Sequence, residues 1–124
     1  MPRRNILDLA TAAIGTLLAG SGLYGIFAPA NMARTYGIVN VNRDMAIFFT
    51  GIGGRNLGAG LAVLALTAAR QRKALGMFLS CWVVAGIVDT YLLLTHDDVV
   101  DQIGVHVFNT CVLALVGPSL LLGY

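Results

Sequence analysis

Arg55, Asp89 and His106 lie inside long apolar stretches of this 124-residue chain, where ionisable side chains are expensive. Their types are those of an acid–base site. An arginine can grip or polarise an oxygen, an aspartate can orient that arginine, and a histidine can take and return a proton near neutral pH. Asn56 adjoins the arginine, Asn109 follows His106 by one helical turn, and Tyr24 falls at a similar depth in the first apolar stretch. We read Arg55, Asp89 and His106 as catalytic, with Tyr24, Asn56 and Asn109 as hydrogen-bonding partners for a substrate. The chemistry that fits is proton transfer, an isomerisation or cyclisation of a lipophilic small molecule, with no cofactor and no metal. Cys81 and Cys111 lie in apolar stretches, with the spacing of neither a disulfide framework nor a zinc site, and read as small packing residues. The turn containing His96, Asp97, Asp98 and Asp101 reads as a solvated cap rather than a cation cage.

The elements that must position these residues follow from composition. Hydrophobic residues make up 57% of the chain and charged ones 11%, with a mean hydropathy of +0.79. Soluble domains carry about 25% charged residues, and a small one cannot hide this much apolar surface. The expected solvent is therefore a lipid bilayer. A net charge of +2, scattered along the chain, gives no footprint for nucleic acid. Four apolar segments, 6–28, 45–69, 74–95 and 99–122, each reach the roughly 20 residues that span the hydrocarbon core as a helix. None alternates with period two, which argues against a membrane barrel. The connection 29–44 is polar and broken by proline and glycine, whereas Arg70–Lys73 and His96–Asp101 are tight turns. Short turns make successive helices antiparallel neighbours. The expected fold is all-α, an integral membrane up-down four-helix bundle forming one domain over residues 1–124.

Arg3, Arg4, Arg70, Arg72 and Lys73 fall on one side of such a bundle, and Arg34 and Arg43 on the other. The bias places both termini in the cytoplasm, with the endoplasmic reticulum as the membrane in a eukaryote. The first segment is too long for a cleaved signal and reads as a retained helix, and Pro118 is expected to kink the last one. Measured from the opposite ends of the helices, Arg55 lies about 15 Å deep, Asp89 about 9 Å, His106 about 10 Å and Tyr24 about 6 Å. All four share one half of the bundle. Arg55 and Asp89, opposite in charge on adjacent helices, are the natural pair.

The glycines around Arg55, in "TGIGGRNLGAG", suggest a phosphate loop at first sight. Asn56 stands where a dinucleotide fingerprint needs its third glycine, no strand precedes it, and no Gly-Lys-Ser/Thr occurs. What remains is helix packing through Gly51, Gly54 and Gly58, with Gly15, Ala19 and Gly22 as the stripe on the first helix.

Pro29, the Tyr36-Gly37 pair, Arg55 with Gly58 and Gly60, Asp89 late in the third segment and His106 early in the fourth together resemble one family. It is a domain-of-unknown-function family of short four-helix membrane proteins, common in fungi and distantly similar to the DoxX-like group. The resemblance implies the four-helix fold and little chemistry. By analogy alone, small fungal membrane proteins of this shape accompany secondary-metabolite pathways as cyclases or isomerases. Three functions therefore stand. The first is the membrane-embedded enzyme. The second is a small transporter, necessarily a homo-oligomer, with Arg55 as substrate site and Asp89 as proton site. The third is a non-catalytic scaffold in which the polar residues fix helix register.

Overall fold

The computed structural model describes residues 2–95 and 102–123. The turn containing His96, Asp97, Asp98 and Asp101 lies outside the described residues, as does the cap expected there. Five helices follow in order: α1 (Pro2–Phe27), α2 (Pro29–Tyr36), α3 (Arg43–Ala68), α4 (Arg72–Thr95) and α5 (Ile103–Leu121). All but α2 are long and apolar enough to cross a membrane, with mean hydropathies of 1.3 to 1.9 over their richest windows. Much of their apolar surface points outward, including Leu17, Phe27, Phe48 and Leu115. The chain is thus an all-α bundle of the integral membrane type, in which lipid takes the place of a larger core.

The first connection is not the irregular segment expected. Pro29 forces Ala28 out of helical geometry (φ −137°, ψ 58°), which ends α1, and the same proline starts α2 at its first turn, where its missing N–H costs nothing. Gly37 stops α2 by adopting φ 122°, and its N–H and that of Ile38 bond back to the carbonyl of Ala33. This one turn past the helix needs glycine. Met32 and Ala33 are buried against Phe49 of α3, with Tyr36, Ile38, Val41 and Ile52 around them. Asn42 then caps α3, its side-chain oxygen accepting from the Met45 N–H at 2.8 Å. At the other end of α3, Arg70 takes a left-handed conformation (φ 55°), and the chain reverses into α4.

The helices form two intimate pairs, α1 with α3 and α4 with α5, while α3 and α4 touch sparsely although they are consecutive. Glycine placement explains the first pair. A Cβ on Gly53 would lie 2.7 Å from Gly22 O and from Ile26 N, and one on Gly60 would lie 2.7 Å from Gly15 O. Only bare backbone allows α1 and α3 to pack this closely. The expected stripe on α1 is in place, but its partner is not the one expected. Gly51, Gly54 and Gly58 face open space, and the contact on α3 is made by Gly53 and Gly60 instead. The pairs join near the basic turn through a core of Val63, Leu75, Leu79, Leu113 and Leu120, and through an ion pair of Asp8 with Arg72 at 2.6 Å. α5 remains one helix through Pro118.

Candidate functional site

Away from that joined end, the gap between the two pairs is spanned by polar groups. Arg55 projects from mid-α3, about 18 Å from its start at 1.5 Å per residue. Its Nη2 lies 3.9 Å from Oδ2 of Asp89 on α4. This is an ion pair at the limit of contact, too long for a hydrogen bond. The guanidinium also sits 5.6 Å from the ring centre of Trp82, one helical face along α4, within cation–π range. Phe78 stacks on that ring at 5.6 Å, so the cation rests on an aromatic shelf.

The arginine is braced from α1. Its Nε donates to Oδ1 of Asn56 at 3.4 Å, the Asn56 amide donates to Ser21 Oγ at 3.3 Å, and the Ser21 hydroxyl donates to the carbonyl of Leu18 at 2.9 Å. Close packing of α1 on α3 makes this relay short enough to work. Asn56 is thereby a support for Arg55, whatever else it touches.

Tyr36, the last residue of α2, joins the arginine side to the histidine. Its phenol lies within reach of the Asp89 carboxylate, and its ring lies 4.5 Å from that of His106 at an interplanar angle of 60°. Burial, then the nearby Asp89 carboxylate, push the phenol well above its ordinary range, against a smaller opposing effect of Arg55. Tyr36 therefore holds its proton at any physiological pH. Phe49 meets the same ring edge-on at 5.4 Å and fixes it in place. His106 Nε2 lies 3.2 Å from the main-chain carbonyl of Tyr36. A carbonyl can only accept, so Nε2 carries the hydrogen and, in the neutral ring, Nδ1 keeps the lone pair. The turn following His106 is closed by Thr110, whose hydroxyl donates to the His106 carbonyl at 2.7 Å.

Of the six residues singled out from sequence, the fold brings Arg55, Asp89, Asn56 and His106 into one connected cluster. Tyr24 is 42% exposed, one turn beyond Ser21, and Asn109 is exposed while its neighbour Thr110 turns inward. Sequence reasoning missed Tyr36, Ser21 and Trp82 as members of the site. The Tyr36-Gly37 pair entered only through the family resemblance, because nothing local says that α2 folds back over the bundle. Among the described residues no group of three or more His, Cys, Asp or Glu side chains could hold a metal ion. A separate apolar groove of about 300 Å³ lies between α4 and α5, lined by Ile87, Tyr91, Leu94, Val107 and Cys111, on the face of α4 opposite Asp89.

A family model described as "Domain of unknown function (DUF4267)" matches residues 15–120, and the chain belongs to this family. No curated protein and no solved structure matches.

Proposed function

We propose that this DUF4267 chain is a membrane-embedded enzyme that isomerises or cyclises a lipophilic small molecule by proton transfer. The observation that carries the reading is the continuous polar cluster of Arg55, Asp89, Tyr36 and His106, set where three helices and α2 meet inside an otherwise apolar bundle. Such a cluster costs several kcal/mol to place at membrane depth, and structural pairing alone recovers that cost poorly.

The roles follow from the geometry. Arg55 offers a cationic fork to a substrate oxygen, and Asp89 with Asn56 holds the fork in position. His106, fixed by its Nε2–H bond, presents Nδ1 as the base. A proton leaves a substrate carbon for Nδ1, and the electron pair moves onto the oxygen facing Arg55. The imidazolium then returns the proton at a different carbon, so atoms and electrons are conserved and nothing external is consumed. Tyr36, which keeps its proton, sets its phenol between the Asp89 carboxylate and the His106 ring. The basic residues Arg70, Arg72 and Lys73 at the α3–α4 turn support a cytoplasmic position for that end and for both termini, with the site in the opposite half of the membrane.

An isomerase or cyclase conserves mass, and that makes the reading testable without knowing the substrate. In cells whose own copy carries His106→Ala, a lipophilic metabolite is expected to be replaced by a compound of identical mass and different chromatographic retention. An unchanged lipid-soluble metabolite profile, with the variant present at normal level, overturns the reading.

A further inference from the structure

The proposed enzyme leaves open what kind of molecule Arg55 holds, and the surroundings of this residue narrow it. Resting on the reading above, we infer that the gap between α3 and α4 binds an uncharged lipophilic carbonyl compound, which reaches Arg55 sideways from the hydrocarbon core.

The first ground is an unmet demand for acceptors. Arg55 is 44% exposed midway along a helix long and apolar enough to cross a membrane. Among the described residues only its Nε has a hydrogen-bond acceptor, Asn56 Oδ1, because Asp89 at 3.9 Å is an ion-pair partner beyond hydrogen-bonding reach. Most of the guanidinium N–H groups therefore point at a place where an oxygen is needed and hydrocarbon supplies none. A carbonyl oxygen meets that demand.

The second ground is charge balance. The positive charge of Arg55 is already opposed by Asp89. A carboxylate or phosphate ligand would add a second anion beside Asp89 in a medium of low dielectric, whereas a ketone or aldehyde leaves the balance unchanged. The third ground is shape. The Trp82 and Phe78 rings form a flat apolar wall beside the guanidinium, and Gly54 and Gly58, flanking Arg55 on α3, have no atom within 4 Å of where a Cβ would stand. α3 and α4 touch only sparsely, so a lipophilic ligand can approach between them without an aqueous path.

Trp82 is the only tryptophan of the chain and serves as the reporter. The test uses the full chain in lipid nanodiscs, with palmitophenone as probe, since an aromatic ketone quenches indole emission at contact. Saturable quenching of Trp82 is expected, with displacement by a long-chain aliphatic methyl ketone, none by hexadecane, and displacement by palmitic acid about tenfold weaker or worse. Arg55→Gln is expected to weaken palmitophenone binding by about tenfold or more, and Arg55→Lys, which keeps the charge but loses the fork, to weaken it as well. Non-saturable quenching, or palmitic acid displacing as well as the ketone, overturns the inference, and the probe comparison on the wild-type chain needs no variant to fold. Ketone binding without any proton exchange on the bound ketone would sink the enzymatic reading alone. Catalysis with a preference for the acid would sink this inference alone.

Discussion

Alanine at Gly22 sets two effects of known size against each other. A glycine inside a helix costs about 1 kcal/mol relative to alanine, so the substitution gains that much from propensity. The added Cβ, however, would fall on the α3 backbone, 2.6 Å from Leu57 Cα and 2.7 Å from the Gly53 carbonyl, with the Leu57 nitrogen closer still. Carbon contacts settle near 3.5–4.0 Å, so α1 and α3 must move apart by about 1 Å, and backbone cannot rotate away as a side chain can. Overpacking of this kind costs about 1–3 kcal/mol and wins over propensity. Gly60→Ala meets the backbone of Ala19 and Gly15 in the same way. Once one substitution has separated the helices, the second costs less, so the pair is expected to be sub-additive. Gly51, Gly54 and Gly58 have nothing within 4 Å, and alanine there is expected to be neutral or stabilising by up to about 1 kcal/mol. Titration with SDS from a mild detergent, followed by circular dichroism, measures both sets. Gly22→Ala as stable as wild type, or Gly54→Ala more damaging than Gly22→Ala, would refute the pairing of α1 with α3. The same separation lengthens the Asn56–Ser21 contact, now 3.3 Å, so Gly22→Ala should also loosen Arg55 and weaken ligand binding.

Two further outcomes are expected. Because the Tyr36 phenol is raised, the folded chain keeps a proton that the unfolded chain releases above its ordinary pKa of 10.0. Stability therefore falls as pH rises above that value, by at most about 1.4 kcal/mol per pH unit from this group. Tyr36→Phe should remove that part of the slope, which alkaline unfolding curves of the two proteins compare directly. Arg70 sits at φ 55°, a conformation costing a non-glycine residue about 1 kcal/mol, so Arg70→Gly should raise stability by up to that amount in the same SDS titration.

Long-range apolar pattern made the four spans legible, and their bounds agree with α1, α3, α4 and α5 to within a few residues. The opposite charges of Arg55 and Asp89 on consecutive helices were enough to foresee their pairing, which the fold holds at 3.9 Å. Helix rotation was not legible. Gly51, Gly53, Gly54, Gly58 and Gly60 are crowded together, and several spacings give a small-residue stripe, so composition alone could not choose the one facing α1. The same ambiguity put Asn109 on the inner face with His106, whereas Asn109 is exposed. α2 was hidden because eight residues with one proline and little apolar content resemble a loop, and its helix is held by Met32 and Ala33 packing on Phe49, a tertiary contact. With α2 went Tyr36, the residue that joins Asp89 to His106.

Proton transfer at this cluster distinguishes an acid–base site from residues that only fix helix register. The most direct measurement is deuterium incorporation from heavy water into the carbon skeleton of lipid-soluble metabolites, read by mass spectrometry on the nanodisc-embedded protein. Wild type is expected to label a substrate at carbon, while His106→Ala and the joint replacement Arg55→Leu with Asp89→Leu label none, with helical content unchanged. Labelling that persists in the joint replacement, or no labelling by wild type above that of His106→Ala, would contradict an acid–base site and leave the polar residues as determinants of helix register.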